Sequence, residues 1–313
     1  MKLEERIVGG ILGVVVGDAL GLPVQFLSRE EVRHKPITEM TSNRTLGLPP
    51  GTWSDDSSLT LCLMESLTEK GYSPSDIGNK FIRWYQEGYW TPFGKAFDIG
   101  RATRRAMENL LDGIEPLQAG LTDERSNGNG SLMRILPAAL YFAKVEDREM
   151  IKRICEISCI THAHPRSQLA CCLYALMVKE LLAGKDPASA YNKMREKTVT
   201  LVAGNHLADE LPHFKRVIDG TLPKLPEVEI NSGGYVVDTL EAAIWCLLNN
   251  NNFTDTLLAA VNLGEDTDTV GAVSGVLAGV YYGYNSIPQE WLRPISHLKQ
   301  VTDLSKRFVR ALA

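Results

Sequence analysis

The sequence predicts an all-α protein that forms one domain, and three observations support this prediction. Residues 166–183, "RSQLACCLYALMVKELLA", are rich in helix-forming residues, and their apolar side chains recur every three or four positions. No segment alternates clearly as a β-strand does; "KTVTLVA" at 197–203 comes nearest, and it fits a helix equally well. The 313-residue chain contains no repeat of fixed period, which argues against a repeat protein.

The same periodicity predicts eight further helices along the chain. They are expected at 55–69, 75–87, 101–111, 131–143, 149–160, 236–249, 254–263 and 297–311. Most joints between these segments carry Gly, Pro, Asn or Asp, which favour turns. The longest irregular stretches are expected at 28–54 and 220–234.

Two other segments carry a glycine at every fourth residue. The glycines are Gly9, Gly13, Gly17 and Gly21 in the first segment, and Gly271, Gly275, Gly279 and Gly283 in the second. Residues four apart lie on one face of a helix, so each segment presents a stripe without side chains. Glycine costs about 0.5–1 kcal/mol relative to alanine inside a helix. We therefore expect two helices in tight contact in the core.

Composition excludes several classes of function. The chain is 44% hydrophobic and 23% charged, which is typical of a soluble globular protein. Its net charge is −5 and it has no long run of one sign, so neither a general nucleic-acid footprint nor a membrane-binding surface is expected. The six cysteines lack the paired spacing of a zinc site and are expected to be reduced and buried, as in a cytoplasmic protein.

Two apolar runs are long enough to suggest a membrane or a signal peptide. The first, "IVGGILGVVVG" at 7–17, follows "MKLEER", which has no net positive charge, and no A-x-A-like cleavage site comes after it. The second, after Asp268, contains Ser274, Asn285 and Pro288 and regular glycines, which fit a helix packed inside protein. We therefore predict no membrane segment.

Adjacent carboxylates stand at the start of two predicted helices. The first acidic segment is "GTWSDDSS" at 51–58, and the second is "GEDTDT" at 264–269. A single carboxylate at a helix N-terminus caps free N–H groups, but adjacent ones repel each other, and few Lys or Arg lie nearby. A bound cation would remove this repulsion. The other interpretation, helix caps with solvated acids, stays open from these residues alone.

The side chains of the two acidic segments indicate which metal would bind. Both offer Asp together with a Ser or Thr hydroxyl, and neither has Cys or His beside it. Such hard oxygen ligands favour Mg²⁺, Mn²⁺ or Ca²⁺ over Zn²⁺. The spacing is not that of a twelve-residue EF-hand loop. Two segments also allow two metals about 3.5–4 Å apart.

Two further motifs carry groups that bind ligands. "NGNGS" at 127–131 lacks the strand and third glycine of a dinucleotide-binding fingerprint, but its backbone N–H groups precede a predicted helix and could hold an anion. A plain Gly/Asn turn is the alternative. "THAHP" at 161–165 places two histidines before the helix near Arg166, where a structural role is the simpler interpretation.

Taken together, the motifs resemble the ADP-ribosylglycohydrolase family. The motifs, in chain order, are "GDALG" (17–21), "GTWSDDSS" (51–58), "FDIG" (97–100), "GNGSLMR" (128–134), "THAHP" (161–165) and "GEDTDTVGAVSGVLAG" (264–279). This family includes the dinitrogenase reductase-activating glycohydrolase and the ADP-ribosylarginine hydrolases. The match runs from about residue 5 to 285. It implies an all-α fold, a single orthogonal multi-helix domain over 1–313, with two Mg²⁺ ions in a cleft, for which Mn²⁺ can substitute.

The resemblance implies a set of metal ligands. They are Ser54, Asp55, Asp56, Asp266, Asp268 and Thr269. Ser54 stands where a Thr is more usual in the family, and the hydroxyl is kept. Glu265 stands where many members have Gly, and we expect it to support the ligands or face solvent.

The family cleaves the bond between C1″ of an ADP-ribose and its acceptor, which implies a catalytic carboxyl group. In several members a Glu four positions after "GDALG" serves, but here that position is Gln25, which cannot act as an acid or base. Asp98 of "FDIG" lies where another branch places a catalytic Asp, so we predict Asp98. A metal-bound water assisted by Asp55 or Asp56 is the alternative.

The resemblance also implies contacts with the ADP-ribose. Gln25 would lie in the cleft, His162 would contact the ADP-ribose, and Tyr235 would either stack on the adenine or pack in the core. The backbone that would hold the diphosphate belongs to Gly128, Asn129, Gly130 and Ser131.

Three functions are therefore compared. The first is a Mg²⁺-dependent hydrolase that removes ADP-ribose from a modified acceptor. The second is a binding or structural protein that has kept the fold without turnover, which Gln25 would favour. The third is another two-metal hydrolase, such as a phosphoesterase. The full acidic set favours the first. The acceptor (arginine, serine, nucleic acid or a small molecule) stays open, and we expect residues 28–50 and 184–234 to select it. The oligomeric state also stays open, and a monomer is plausible.

Overall fold

The structure of the protein is a computed structural model that describes residues 1–43 and 47–312. In these residues it contains fifteen α-helices, several short 3₁₀ turns and no β-strand, which confirms the all-α prediction. The helices are α1 (Leu3–Gly21), α2 (Arg29–His34), α3 (Asp55–Lys70), α4 (Pro74–Glu87), α5 (Arg101–Leu111), α6 (Leu136–Tyr141), α7 (Asp147–Cys159), α8 (Pro165–Leu182), α9 (Pro187–Val202), α10 (Lys215–Ile218), α11 (Val236–Leu248), α12 (Phe253–Val261), α13 (Thr267–Tyr282), α14 (Gln289–Leu292) and α15 (Leu298–Ala311). The stretch expected to be irregular at 28–54 contains the short helix α2, and its residues 44–46 lie outside the described part.

Most predicted helices are found within a few residues of their expected ends, but two predictions need correction. The helix predicted at 131–143 is confined to α6, because residues 127–133 form turns joined by backbone hydrogen bonds to the segment before α11. The second correction concerns α9, which the predicted set lacked. It contains most of "KTVTLVA" as helix, and the side chain of its N-cap, Asp186, accepts a hydrogen bond from the Ser189 N–H.

The two glycine-bearing helices α1 and α13 pack directly against each other, which confirms the predicted contact. A Cβ added at Gly13 would lie well inside 3.0 Å of the carbonyl oxygen of Gly275, and one added at Gly17 would meet the carbonyl oxygen of Gly271 in the same way. Gly9 faces Gly279, so the helices run antiparallel. This pairing brings the C-terminal half of α1 beside the N-terminus of α13, where the second acidic segment lies.

The α1 helix and the turn after it, Leu3–Val24, are long and apolar enough to cross a membrane. However, 94% of the most apolar window is buried inside the protein. The apolar residues therefore form a core helix, and α13 is likewise buried along its length.

The cysteines deviate from the prediction in part. All six are free thiols, and four of them are buried, as expected. Cys155 and Cys159 are only partly buried on α7, and Sγ of Cys155 lies 3.5 Å from Sγ of Cys172 on α8.

Candidate metal centre and cleft

The N-termini of α3 and α13 meet beside the C-terminal half of α1. Ser54 is the N-cap of α3, and Asp266 is the N-cap of α13. The first turns of these two helices are in contact, since the Thr269 hydroxyl of α13 donates to Oδ2 of Asp56 of α3 at 3.5 Å. All six predicted metal ligands lie in these two turns: Ser54, Asp55, Asp56, Asp266, Asp268 and Thr269. Each is less than one tenth exposed.

Asp18 of α1 also belongs to this cluster, although the sequence analysis assigned it no role. Its carboxylate is fully buried and accepts hydrogen bonds from the N–H groups of Ser54 (2.9 Å) and Ser57 (3.1 Å) and from the Ser57 hydroxyl (2.6 Å). Oxygen atoms of Asp18, Asp56 and Asp268 lie within 4.8 Å of one another. Since the Asp18 oxygens already accept these bonds, we assign it the role of fixing the first turn of α3.

Burial makes this group of carboxylates electrostatically unfavourable when no cation is present. Burial raises the pKa of Asp18 to about 7. Burial first, and neighbouring carboxylates second, raise the pKa of Asp55 and Asp268 well above the usual range for aspartate. Burial and the charges of Asp18 and Asp266 do the same for Asp56. The N-termini of two helices supply partial positive charge, but each offers only about half an elementary charge.

No basic side chain of the described residues pairs with these carboxylates. None of the ion pairs in residues 1–43 and 47–312 includes a member of the cluster. Oδ1 of Asp56 and Oδ2 of Asp268 are buried without a hydrogen-bond partner. Buried polar atoms normally have partners. Two orphaned carboxylate oxygens, surrounded by Ser and Thr hydroxyls, therefore fit one or more hard divalent cations.

The cluster opens into a cleft of about 410 Å³. Nine of the predicted site residues line it: Gln25, Asp55, Asp98, Gly128, Asn129, Gly130, His162, Asp266 and Thr269. Ser54, Asp56 and Asp268 lie directly behind this wall. The sequence therefore predicted most of the residues that meet here, although they come from distant parts of the chain.

Gln25 and Asp98 interact directly in the cleft. The Nε2 atom of Gln25 donates to Oδ2 of Asp98 at 2.7 Å. The backbone of Asp98 is left-handed, with φ of 57°, a conformation that residues other than glycine rarely adopt. This arrangement fixes the Asp98 carboxylate beside the acidic cluster, where its charge acts on Asp55.

The turn at 127–131 forms a second wall of the cleft. The amide of Asn129 donates to Oδ2 of Asp266 at 2.6 Å, which ties this turn to the acidic cluster. Gly130 packs against His162, since an added Cβ would lie 2.7 Å from Cε1 of the imidazole. Burial, together with the charge of Arg134, lowers the pKa of His162 to about 3, so the ring is neutral. His162 therefore offers the cleft an uncharged polar edge.

Two predicted substrate-binding residues have side chains outside the cleft. The hydroxyl of Ser131 is fully buried and accepts from the Ser158 hydroxyl at 2.9 Å. Tyr235, at the start of α11, is partly buried, and its backbone bridges to that of Gly128. His164, interpreted as structural, accepts from the N–H of Arg166 at the start of α8.

Comparison with known proteins decides the family. The model of the ADP-ribosylglycohydrolase family matches residues 1–313. The chain belongs to the ADP-ribosylglycohydrolase family. This result confirms the family and the hydrolase class predicted from the six motifs.

Two relatives of this ADP-ribosylglycohydrolase align with nearly its whole length. The chain is 31% identical over 300 residues to the ADP-ribosylarginine hydrolase Tri1 of Serratia proteamaculans (strain 568), covering 96% of this chain and 77% of the relative. It is also 31% identical over 294 residues to the ADP-ribosyl-[dinitrogen reductase] glycohydrolase of Rhodospirillum rubrum, covering 93% and 90%.

A solved structure described as an ADP-ribosylglycohydrolase-related protein complex has the same fold. It superimposes with a TM-score of 0.83 at 34% sequence identity, and the alignment covers 99% of each chain. This solved structure and the chain therefore share the helix arrangement that builds the cleft.

Proposed function

We propose that this ADP-ribosylglycohydrolase is a Mg²⁺-dependent hydrolase that cleaves the C1″ bond between ADP-ribose and a modified acceptor. One observation carries the proposal: a buried, uncompensated acidic cluster with two orphaned oxygens opens into a cleft that can hold a polar ligand. The relatives named as ADP-ribosylarginine hydrolase and dinitrogen reductase glycohydrolase support release of ADP-ribose as the reaction.

We propose that the two acidic segments hold two Mg²⁺ ions, for which Mn²⁺ can substitute. The proposed ligands are Ser54, Asp55, Asp56, Asp266, Asp268 and Thr269. The bound ions would orient the ribose hydroxyls of the substrate and stabilise charge at the reacting sugar. Asp18 keeps Ser54 and the first turn of α3 in place through its hydrogen bonds.

The remaining side chains of the cleft have separate roles in this proposal. Asp98 acts as the general acid or base on the acceptor side or on the attacking water, and the Gln25 amide orients its carboxylate. Asn129 keeps the glycine turn against Asp266. The turn at 128–131 and the neutral His162 bind the ADP-ribose, and the adenine lies towards Tyr235, whose backbone adjoins Gly128.

The test is release of free ADP-ribose from ADP-ribosylated arginine, serine and nucleic acid, with Mg²⁺, with Mn²⁺ and with EDTA. We expect metal-dependent release from at least one acceptor. Asp98→Asn should lower kcat by on the order of 100-fold or more, the usual contribution of general acid–base catalysis. An unchanged kcat in Asp98→Asn would indicate that a metal-bound water, assisted by Asp55 or Asp56, acts in place of Asp98. Metal-dependent binding of ADP-ribose without any release would identify a binding protein, and AMP among the products would identify a phosphoesterase.

The ligand role of the glycine turn can be tested at Gly128. A Cβ at this position would meet no atom closer than 3.7 Å, so Gly128→Ala should leave the fold and its stability unchanged. The methyl group would occupy space at the wall of the cleft, and we expect the affinity for ADP-ribose to fall about tenfold, a loss of about 1.4 kcal/mol. Isothermal titration calorimetry measures this affinity. The comparison is Gly233→Ala, since Gly233 also lines the cleft and has open space at its Cβ position. Unchanged affinity in Gly128→Ala would exclude a close contact at this turn.

We further propose that residues 1–313 act as one domain in the cytoplasm. One cluster of buried apolar side chains extends from Ile7 to Phe308, which supports a single domain. Six free thiols support a reducing compartment.

A further inference from the structure

Backbone strain is concentrated at one edge of the cleft. Five of the described residues other than glycine have a left-handed backbone conformation. Three of these residues line the cleft: Phe26 (φ 65°), Asp98 (φ 57°) and Glu265 (φ 63°). Such a conformation costs about 1–3 kcal/mol for a residue with a side chain, and it tends to persist at functional sites. Asp98 already has a proposed role. Phe26 and Glu265 have none.

Phe26 and Glu265 are fixed to each other through their backbones. The N–H of Phe26 donates to the carbonyl oxygen of Glu265 at 2.7 Å, and the N–H of Glu265 donates to the carbonyl oxygen of Leu27 at 2.7 Å. The Arg29 guanidinium donates to the carbonyl oxygen of Leu263 at 2.7 Å and so holds the segment that precedes Glu265. The backbone at Gly264 is left-handed, with no room for a Cβ beside Arg29. The structure therefore presents both side chains from a rigid support.

Neither side chain makes a side-chain hydrogen bond or an ion pair with another described residue. Phe26 is 71% exposed, although it is a large apolar residue. Glu265 is exposed, and no ion pair within residues 1–43 and 47–312 involves it, although its charge acts on the Arg29 guanidinium. Folding does not explain an exposed ring and an unpaired carboxylate held side by side in strained conformations. Their sequence neighbours, Gln25 and Asp266, belong to the proposed catalytic and metal-binding groups.

The charges of the cleft limit what this pair can bind. Arg101 and Arg125 also line the cleft, and the Arg101 guanidinium donates to the carbonyl oxygen of Arg125 at 2.8 Å. These cations suit the anionic diphosphate and repel a cationic group. Glu265 supplies an exposed negative charge in the same cleft. Asp55, Asp98 and Asp266 also line the cleft, but they are less exposed and belong to the proposed metal and catalytic groups, so Glu265 is the exposed carboxylate that attracts a cationic group on the substrate.

We propose that Phe26 and Glu265 form the acceptor subsite and select a planar cation, the guanidinium of an ADP-ribosylated arginine. The carboxylate of Glu265 accepts hydrogen bonds from the guanidinium N–H groups that carry no ribose, and the ring of Phe26 packs on the guanidinium face. A neutral serine acceptor has neither the charge nor the planar face. This assignment rests on the proposed function, because it names the residues that select the acceptor for that reaction.

The experiment measures kcat and KM for two peptides of the same sequence, one ADP-ribosylated on arginine and the other on serine. The variants are Glu265→Gln, which removes only the charge, and Phe26→Leu, which removes the aromatic face. Glu290→Gln on α14, an exposed glutamate that does not line the cleft, is the matched control. We expect the arginine-to-serine ratio of kcat/KM to fall at least tenfold in Glu265→Gln, mainly through KM for the arginine peptide. Phe26→Leu should lower the ratio several-fold, and Glu290→Gln should leave it unchanged.

Two results would overturn the assignment: an unchanged ratio in Glu265→Gln, which includes a proportional loss with both peptides, or a wild type that acts only on the serine peptide. If the wild type releases ADP-ribose neither from these peptides nor from ADP-ribosylated nucleic acid, the proposed function fails, and the subsite is tested by binding of the intact peptides. Tighter binding of the arginine peptide that Glu265→Gln removes would support the subsite. Equal binding of the two peptides by the wild type would contradict it.

Discussion

The substitution Asp268→Asn is expected to lower kcat for ADP-ribose release by on the order of 1000-fold, the scale of removing a preorganised electrostatic contact in an active site. Asp268 is fully buried at the start of α13, and its Oδ2 has no hydrogen-bond partner in the part of the chain that the structure describes. Asparagine has nearly the same shape but no charge, so the variant should fold normally. Its amide would bind a hard divalent cation far more weakly than the carboxylate does.

The same substitution should change thermal stability in the opposite direction when metal is absent. Burial and the charges of Asp266 and Asp56 raise the pKa of Asp268 well above its usual range, so the carboxylate costs free energy in the metal-free fold. We expect Tm in EDTA to be as high in Asp268→Asn as in the wild type, or higher. Wild-type Tm should rise with Mg²⁺, since a ligand at 100 times its Kd stabilises by about 2.7 kcal/mol. The variant should lose most of this rise.

Differential scanning fluorimetry with and without Mg²⁺, together with the release assay, measures both effects. Asp303→Asn on α15 is the control, because Asp303 is an exposed aspartate that does not line the cleft. A variant that keeps wild-type activity and the wild-type response to Mg²⁺ would remove Asp268 from the metal site. A variant that is inactive and also much less stable in EDTA would indicate a structural role for this carboxylate.

The sequence predicted the acidic cluster well because its signal is local. Adjacent aspartates at a helix N-terminus need a cation or solvent, whatever the rest of the fold does, and both acidic segments could be read within six to eight residues. The all-α class followed in the same way from periodicity within single segments. Local periodicity could not predict that the helix expected at 131–143 is shorter. Residues 127–133 are held by partners near Gly234, about a hundred residues away in the chain.

The residues that sequence reasoning missed act through long-range contacts. Asp18 of α1 fixes Ser54 at the start of α3, which is 36 residues away in the chain. The position of Asp18 between Gly17 and Gly21 was the one available signal. Gln25 and Asp98 were each noticed, but their hydrogen bond spans 73 residues. The exposed pair of Phe26 and Glu265 depends on backbone angles, which the sequence pattern does not encode.

The substitution Gly17→Ala is expected to reduce the free energy of unfolding by about 3 kcal/mol, at the upper end of overpacking effects. Helix propensity alone predicts the opposite sign, since alanine is favoured over glycine by about 0.5–1 kcal/mol inside a helix. The new Cβ would overlap the carbonyl oxygen and carbon of Gly271. Both are backbone atoms of a buried helix, so no side chain can rotate away to relieve the overlap. The helices α1 and α13 must separate, which opens gaps along the whole contact.

Urea unfolding followed by circular dichroism measures this loss, with Gly233→Ala as the control, because no atom lies within 4 Å of a Cβ at Gly233. The control should stay within about 0.5 kcal/mol of the wild type. Gly271→Ala introduces the reciprocal overlap, with the carbonyl of Gly17, and should be destabilised to a similar degree. Wild-type stability in both Gly17→Ala and Gly271→Ala would mean that the helices separate at no cost. Because Asp18 follows Gly17 directly, separation of the helices would also move the Asp18 carboxylate from the start of α3, so Gly17→Ala should weaken the Mg²⁺ response of any protein that still folds.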